Sequence, residues 1–172
     1  MNAGGERPRR RSPLDGVRVL LVDDDAMVRD VIDRLLVEFG GRVVAVAGVA
    51  EALDALPRAR PHVLVSDIDM PGENGYALIR TMRALPPDLG GRTPAVCLTG
   101  RDAAENEAHA LRAGFQHYLT KPVDAWRLVA VVATLASVAA RASTGLALVS
   151  RAWPALAGGG EDIDRPRRED MP

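Results

Sequence analysis

Cysteine is nearly absent from this chain: Cys97 stands alone among 172 residues. A disulfide within the chain is therefore excluded. A single thiol inside the apolar run Ala95-Val96-Cys97-Leu98 reads as a small buried hydrophobe. Long apolar runs are missing too, and none approaches the ~20 residues of a membrane span. Charge of one sign is also missing. The formal net charge is −1, so no global field points to nucleic acid or an acidic membrane. The arginine-rich N-terminus has no apolar segment behind it and does not read as a secretory signal. His62, His109 and His117 have no partners at metal-ligand spacing and read as surface or loop residues. A cytoplasmic, single-domain protein is expected.

What is present alternates. Val17–Val22 is a nearly all-apolar, β-branched run and reads as a strand. A helix follows, with Val28, Val31, Ile32, Leu35, Leu36 and Phe39 at helical spacing, until Gly40-Gly41 stops it. Arg42–Ala47 reads as a second strand and Ala50–Leu56 as a short helix stopped at Pro57. Val63–Asp67 is a third strand, Tyr76–Leu85 a helix, Pro94–Leu98 a fourth strand and Ala103–Ala113 a helix. Phe115–Leu119 is a fifth strand. Asp124 then caps a last helix carrying Leu128, Val131, Val132, Leu135 and Val138. Five strand–helix alternations predict a doubly wound α/β fold, a parallel sheet with helices on both faces. The domain is expected over residues 16–140. Residues 1–15 read as a disordered basic arm, and residues 141–172 as a mostly disordered tail with room for a short helix over 145–153.

In such folds the site lies beyond the carboxyl ends of the strands. Four strands end there in reactive side chains: Asp23-Asp24, Asp67, Thr99 and Lys121. The second ends in apolar residues and glycine, which suits the sheet edge. Asp67 closes a buried run, and Met70-Pro71-Gly72 turns the chain away. A carboxylate in that position needs compensation. Asp23, Asp24 and Asp67 together suit a hard cation such as Mg²⁺. Lys121 suits a phosphate, and Thr99 completes the donor set. Metal, lysine and hydroxyl around one carboxylate make a phosphoryl-transfer site in which Asp67 is the nucleophile. Asp25 is expected only to cap the helix behind it.

Val22-Asp23-Asp24, Asp67 with Met70-Pro71-Gly72, Thr99-Gly100, Tyr118 and Lys121-Pro122 together resemble the receiver domain of response regulators in two-component phosphorelay signalling. The stretch from Asp67 to Leu78 looks most like receivers attached to hybrid histidine kinases. The resemblance implies a flavodoxin-like five-stranded sheet of order 2-1-3-4-5. It implies Asp67 as phosphoacceptor, with Asp23, Asp24, Asp67 and the main-chain carbonyl of Asp69 around Mg²⁺. Thr99 and Lys121 would hold the phosphoryl group, a cis peptide would precede Pro122, and Tyr118 would rotate inward. The face formed by the fourth helix, fifth strand and fifth helix would then change shape. Asp69, where neutral side chains are commoner, and Arg101 would flank the phosphoryl group and tune its lifetime.

The expected function is a free-standing receiver phosphorylated by a sensor histidine kinase or a phosphotransfer protein. It would catalyse only its own phosphorylation and dephosphorylation and act on an unidentified downstream protein. A phosphorylation-dependent dimer is left open, and neither direct DNA binding nor a membrane is expected. The alternative is an intermediate phosphate carrier in a phosphorelay. A haloacid-dehalogenase-like phosphatase would also use an Asp-x-Asp such as Asp67-Ile68-Asp69. Those enzymes place it after the first strand, and this chain has no room for a substrate cap.

Overall fold

The computed structural model describes residues 12–72, 74–100 and 104–156, with side chains described as far as residue 141 except at 104 and 105. Strands and helices alternate as β1 (Arg18–Val22), α1 (Ala26–Glu38), β2 (Arg42–Val46), α2 (Val49–Ala59), β3 (Val63–Asp67), α3 (Gly75–Ala84), β4 (Ala95–Thr99), α4 (Ala104–Ala113), β5 (His117–Thr120) and α5 (Ala125–Leu156). A 3-10 turn, Pro87–Leu89, lies between α3 and β4. The sheet order is β2-β1-β3-β4-β5 and every pair is parallel. The order is the expected one, and β2 lies at the edge.

Side chains of a strand point alternately to the two faces, so one apolar strand feeds two cores. Val19 and Leu21 of β1 join Ile32 and Leu36 of α1 and Leu128 and Val132 of α5. Leu20 and Val22 join Ala52 and Leu56 of α2, Leu78, Ile79 and Met82 of α3, and Ala110 of α4. All five residues of β3 and all five of β4 are buried. Covered on both faces, these strands carry no polar alternation, which is why they read as short unbroken apolar runs.

Three boundaries differ from the sequence expectation. Residues 12–15, expected to belong to the arm, are docked on the domain: Leu14 is fully buried and its N–H donates to the Phe39 carbonyl at 3.0 Å. One leucine gains enough by burial to dock the segment, roughly 2 kcal/mol. Pro57 does not stop α2, because it falls in the last turn and removes only one donor. The helix ends instead at Arg60, whose φ of 42° is left-handed and whose N–H returns to the Leu56 carbonyl. The last helix does not fade after Ala140 but runs to Leu156. Gly145 costs about 1 kcal/mol relative to alanine, too little to end a helix flanked by Ala140, Ala142 and Ala147.

By contact the chain forms two units, Met1–Ala140 and Arg141–Pro172. The first holds the sheet and its helices. The second holds residues 141–156 of α5; the remainder of the expected tail and residues 1–11 of the expected arm lie outside the described residues. Among the described residues no helix is long and apolar enough to cross a membrane.

Candidate functional site

Parallel strands all present their C-terminal ends on one side, so β1, β3, β4 and β5 deliver their last residues to one place. Asp23 follows β1 directly, and its N–H donates to the Val46 carbonyl at 3.2 Å. Asp67 is the last residue of β3, Thr99 the last of β4, and Lys121 follows β5. Asp23 and Thr99 are fully buried and Asp67 nearly so, whereas Asp24 is exposed. Carboxylate oxygens of Asp23, Asp24 and Asp67 lie within 4.8 Å of one another.

Lys121 ties the acids together. Its Nζ donates to Asp23 Oδ2 and to Asp67 Oδ2, each at 2.7 Å. Burial pushes the Asp23 carboxyl above its ordinary value, and the nearby Asp67 charge adds to the rise, against the pull of Lys121. Burial works against the Lys121 ammonium as well, yet its hydrogen bonds to Asp23 and Asp67 hold its pKa above the ordinary lysine value. The Lys121–Pro122 peptide is cis, and the Lys121 N–H donates to the Thr99 carbonyl at 2.7 Å.

Both oxygens of Asp67 are engaged. Oδ2 faces Lys121, and Oδ1 accepts the Asp69 N–H at 2.9 Å. The Asp69 carboxylate turns to β4: Thr99 Oγ donates to its Oδ2 at 2.8 Å and the Gly100 N–H at 3.3 Å. Asp25 caps α1, accepting the N–H groups of Met27 and Val28 at 2.8 and 3.2 Å. Tyr118 is half-buried on β5, opposite Cys97 in register, and packs on the α2–α4 side of the sheet. Arg101 lies outside the described residues.

Two residues escape the sequence reading. Arg29 of α1 donates from its guanidinium to the Asp23 carbonyl at 2.7 Å and holds the acidic turn in place. Its signal is only positional, in the first turn or so of a helix that starts at the acidic turn. Gly75 opens α3 against β3, and a Cβ there would come within 2.3 Å of the Asp67 carbonyl oxygen. Nothing in the sequence separates this glycine from the turn-forming Gly72.

The likeness to known proteins agrees with this geometry. Residues 19–133 match the family model described as the response regulator receiver domain. A 14.6 kDa protein of Leptolyngbya boryana is 45% identical over 115 residues, 66% of this chain and 86% of that one. The sensory/regulatory protein RpfC of Xanthomonas campestris pv. campestris is 32% identical over 128 residues, 74% of this chain but only 18% of its own length. The match to RpfC thus concerns one part of a much longer protein. Among solved structures, the receiver domain of a Pseudomonas aeruginosa sensor histidine kinase superposes with a TM-score of 0.64 at 29% identity, covering 70% of this chain and 98% of that one. That structure holds a magnesium ion coordinated in its active-site cleft. With five parallel strands in the order 2-1-3-4-5 and an acidic cluster at their C-terminal ends, this chain belongs to the response regulator receiver domain family.

Proposed function

We propose that this chain is a receiver that accepts a phosphoryl group on Asp67 from the phosphohistidine of a sensor histidine kinase or a phosphotransfer protein. The observation that carries the reading is the Lys121 ammonium bridging Asp23 and Asp67 at 2.7 Å each, at the C-terminal ends of the adjacent strands β1 and β3. A lysine so placed orients the nucleophilic carboxylate before reaction and neutralises phosphoryl oxygens after it.

An Asp67 carboxylate oxygen attacks the phosphorus in line. The P–N bond to the donor imidazole breaks, and its electron pair returns to the ring nitrogen. The product is an acyl phosphate with Lys121 beside it. Hard oxygen donors within 4.8 Å suit Mg²⁺; Asp23, Asp24 and Asp67 would hold it, with the Asp69 main-chain carbonyl, and it would supply positive charge to the phosphoryl oxygens. Met27 and Val31 are exposed on α1 beside the acidic turn, at 79% and 66%, and offer an apolar footing for the donor protein.

On this reading the protein catalyses only its own phosphorylation and dephosphorylation. Its signal leaves through the α4–β5–α5 face, where Tyr118 lies, toward a downstream protein in the cytoplasm. Service as an intermediate phosphate carrier uses the same site and the same chemistry. Incubation with acetyl phosphate and Mg²⁺, followed by intact mass, tests the proposal. The wild-type chain should gain one phosphoryl mass and Asp67→Asn none. Labelling that persists in Asp67→Asn would refute the assignment.

A further inference from the structure

The register of the sheet puts Asp69 beside the end of β4. Asp67 pairs with Leu98, and the Ile68 N–H donates to the Leu98 carbonyl at 3.1 Å, carrying the register one step past β3. The next residue of that edge is Asp69, and its neighbours across the gap are Thr99 and Gly100. Its Oδ2 accepts the Thr99 hydroxyl at 2.8 Å and the Gly100 N–H at 3.3 Å. Thr99 is fully buried, so bulk water does not compete for its hydroxyl. A hydroxyl has one proton to donate. Given to a carboxylate, it makes a charge-assisted bond, stronger than one to a neutral amide or hydroxyl.

From this geometry we infer that Asp69 is a built-in competitor of the phosphoryl group, an internal anion that holds the Thr99 hydroxyl and the Gly100 amide until an anion on Asp67 takes them. The inference rests on the reading of Asp67 as phosphoacceptor. Thr99 then cannot turn to a phosphoryl oxygen without first leaving Asp69, so the apparent affinity of the site for a phosphoryl-like anion is lowered by the fraction of molecules in which Thr99 has been released. The same bond anchors Thr99 in the unphosphorylated protein and suppresses spontaneous switching. An asparagine or alanine at residue 69 lacks the charge that makes the bond competitive.

Beryllium fluoride with Mg²⁺ is the reagent for the test, because it joins a carboxylate oxygen reversibly as an anion of phosphoryl shape. Its dissociation constant is measured by calorimetry on the full chain, on Asp69→Ala, on Thr99→Val and on the double variant. Removing a charge-assisted competitor should tighten binding by about tenfold with Thr99 present. With Thr99→Val the gain should shrink to about threefold or less, since the Thr99 hydroxyl is no longer there to be released. Thr99→Ala serves as a second background and should give the same contraction. Equal tightening in all backgrounds would mean that Asp69 acts by repulsion alone and would overturn the inference. Weaker binding in Asp69→Ala would overturn it as well.

A metal-free reading accompanies these titrations. The Gly100 amide proton of Asp69→Ala should move upfield and exchange faster than in wild type, and an unchanged resonance would overturn the inference. Wild-type protein that neither binds beryllium fluoride nor takes a phosphoryl group from acetyl phosphate would bring down the reading of Asp67 itself, a failure distinct from equal tightening in all backgrounds.

Discussion

Replacing Lys121 by methionine asks what the ammonium does before any phosphate arrives. Methionine keeps much of the apolar stem and removes the charge. Two carboxylates then lose a donor at 2.7 Å each, one fully buried and the other nearly so. Breaking a buried ion pair by removing one partner costs about 3–5 kcal/mol. The lysine side chain is 22% exposed, and water reaching the gap brings the expectation to the low end, roughly 3 kcal/mol. A domain of this size loses about 4 °C per kcal/mol, so the melting temperature should fall by roughly 10 °C.

The loss should depend on pH, and its sign is fixed. Burial already raises the Asp23 carboxyl above 3.8 in the native state, and without Lys121 the rise must grow. A carboxyl raised on folding binds its proton more readily in the native than in the unfolded chain. Its stabilising contribution is complete below 3.8 and disappears as pH climbs through the native value. The deficit of Lys121→Met should therefore be largest near neutrality and narrow as the buffer is acidified toward that window. Urea unfolding of both proteins in EDTA, over a series of buffers, measures it. Equal stability at neutral pH, or a deficit that does not change with acidification, would refute the account of Lys121 as the neutraliser of these carboxylates.

Three further expectations follow from single contacts. Gly75→Ala should lower stability by roughly 1–3 kcal/mol through overpacking, although alanine favours helix. The added Cβ would press on the Asp67 carbonyl at 2.3 Å, so labelling by acetyl phosphate should slow together with the fall in urea midpoint. Arg83→Lys should cost roughly 2–4 kcal/mol. The guanidinium fork reaches the carbonyls of Gly91, Thr93 and Gly114 at 2.8–3.1 Å, which an ammonium cannot span, and thermal unfolding reads the difference. His62 accepts the Arg18 N–H through Nδ1 at 3.2 Å, and burial, with the Arg18 charge, pushes its pKa below 6.5. The unfolded chain takes up the proton first, so stability should decline as pH falls below 6.5. In His62→Gln that part of the pH profile should flatten.

The sheet was legible because each strand is a short apolar run with a chemically conspicuous end. Asp23, Asp67, Thr99 and Lys121 announce themselves by position, and parallel pairing brings them together without further information. The docking of Leu14 was not legible, since a lone leucine between Pro13 and Asp15 has no periodicity to read. Pro57 misled because proline's effect depends on its distance from the helix end, which only the cap at Arg60 reveals. The passage of α5 through Gly145 turned on about 1 kcal/mol, below what a pattern of residues resolves. The turn of Asp69 toward Thr99 depends on a side-chain rotamer and on the register between β3 and β4. Gly75 depends on the approach of two backbones.

Every pairing in the sheet joins distant parts of the chain: Arg18 meets Arg42, Val19 meets Val63, Leu64 meets Ala95 and Val96 meets His117. No hairpin is available to start the sheet locally. Closing such loops costs entropy before any pairing rewards it, and topologies of this kind fold slowly. The widest closure is β1 onto β3, and it is the one that brings Asp23 and Asp67 together. The rate at which this molecule folds is thus tied to its chemistry. That widest closure presses two carboxylates into one mouth, and Lys121, which follows β5, neutralises them only when β5 is docked as well.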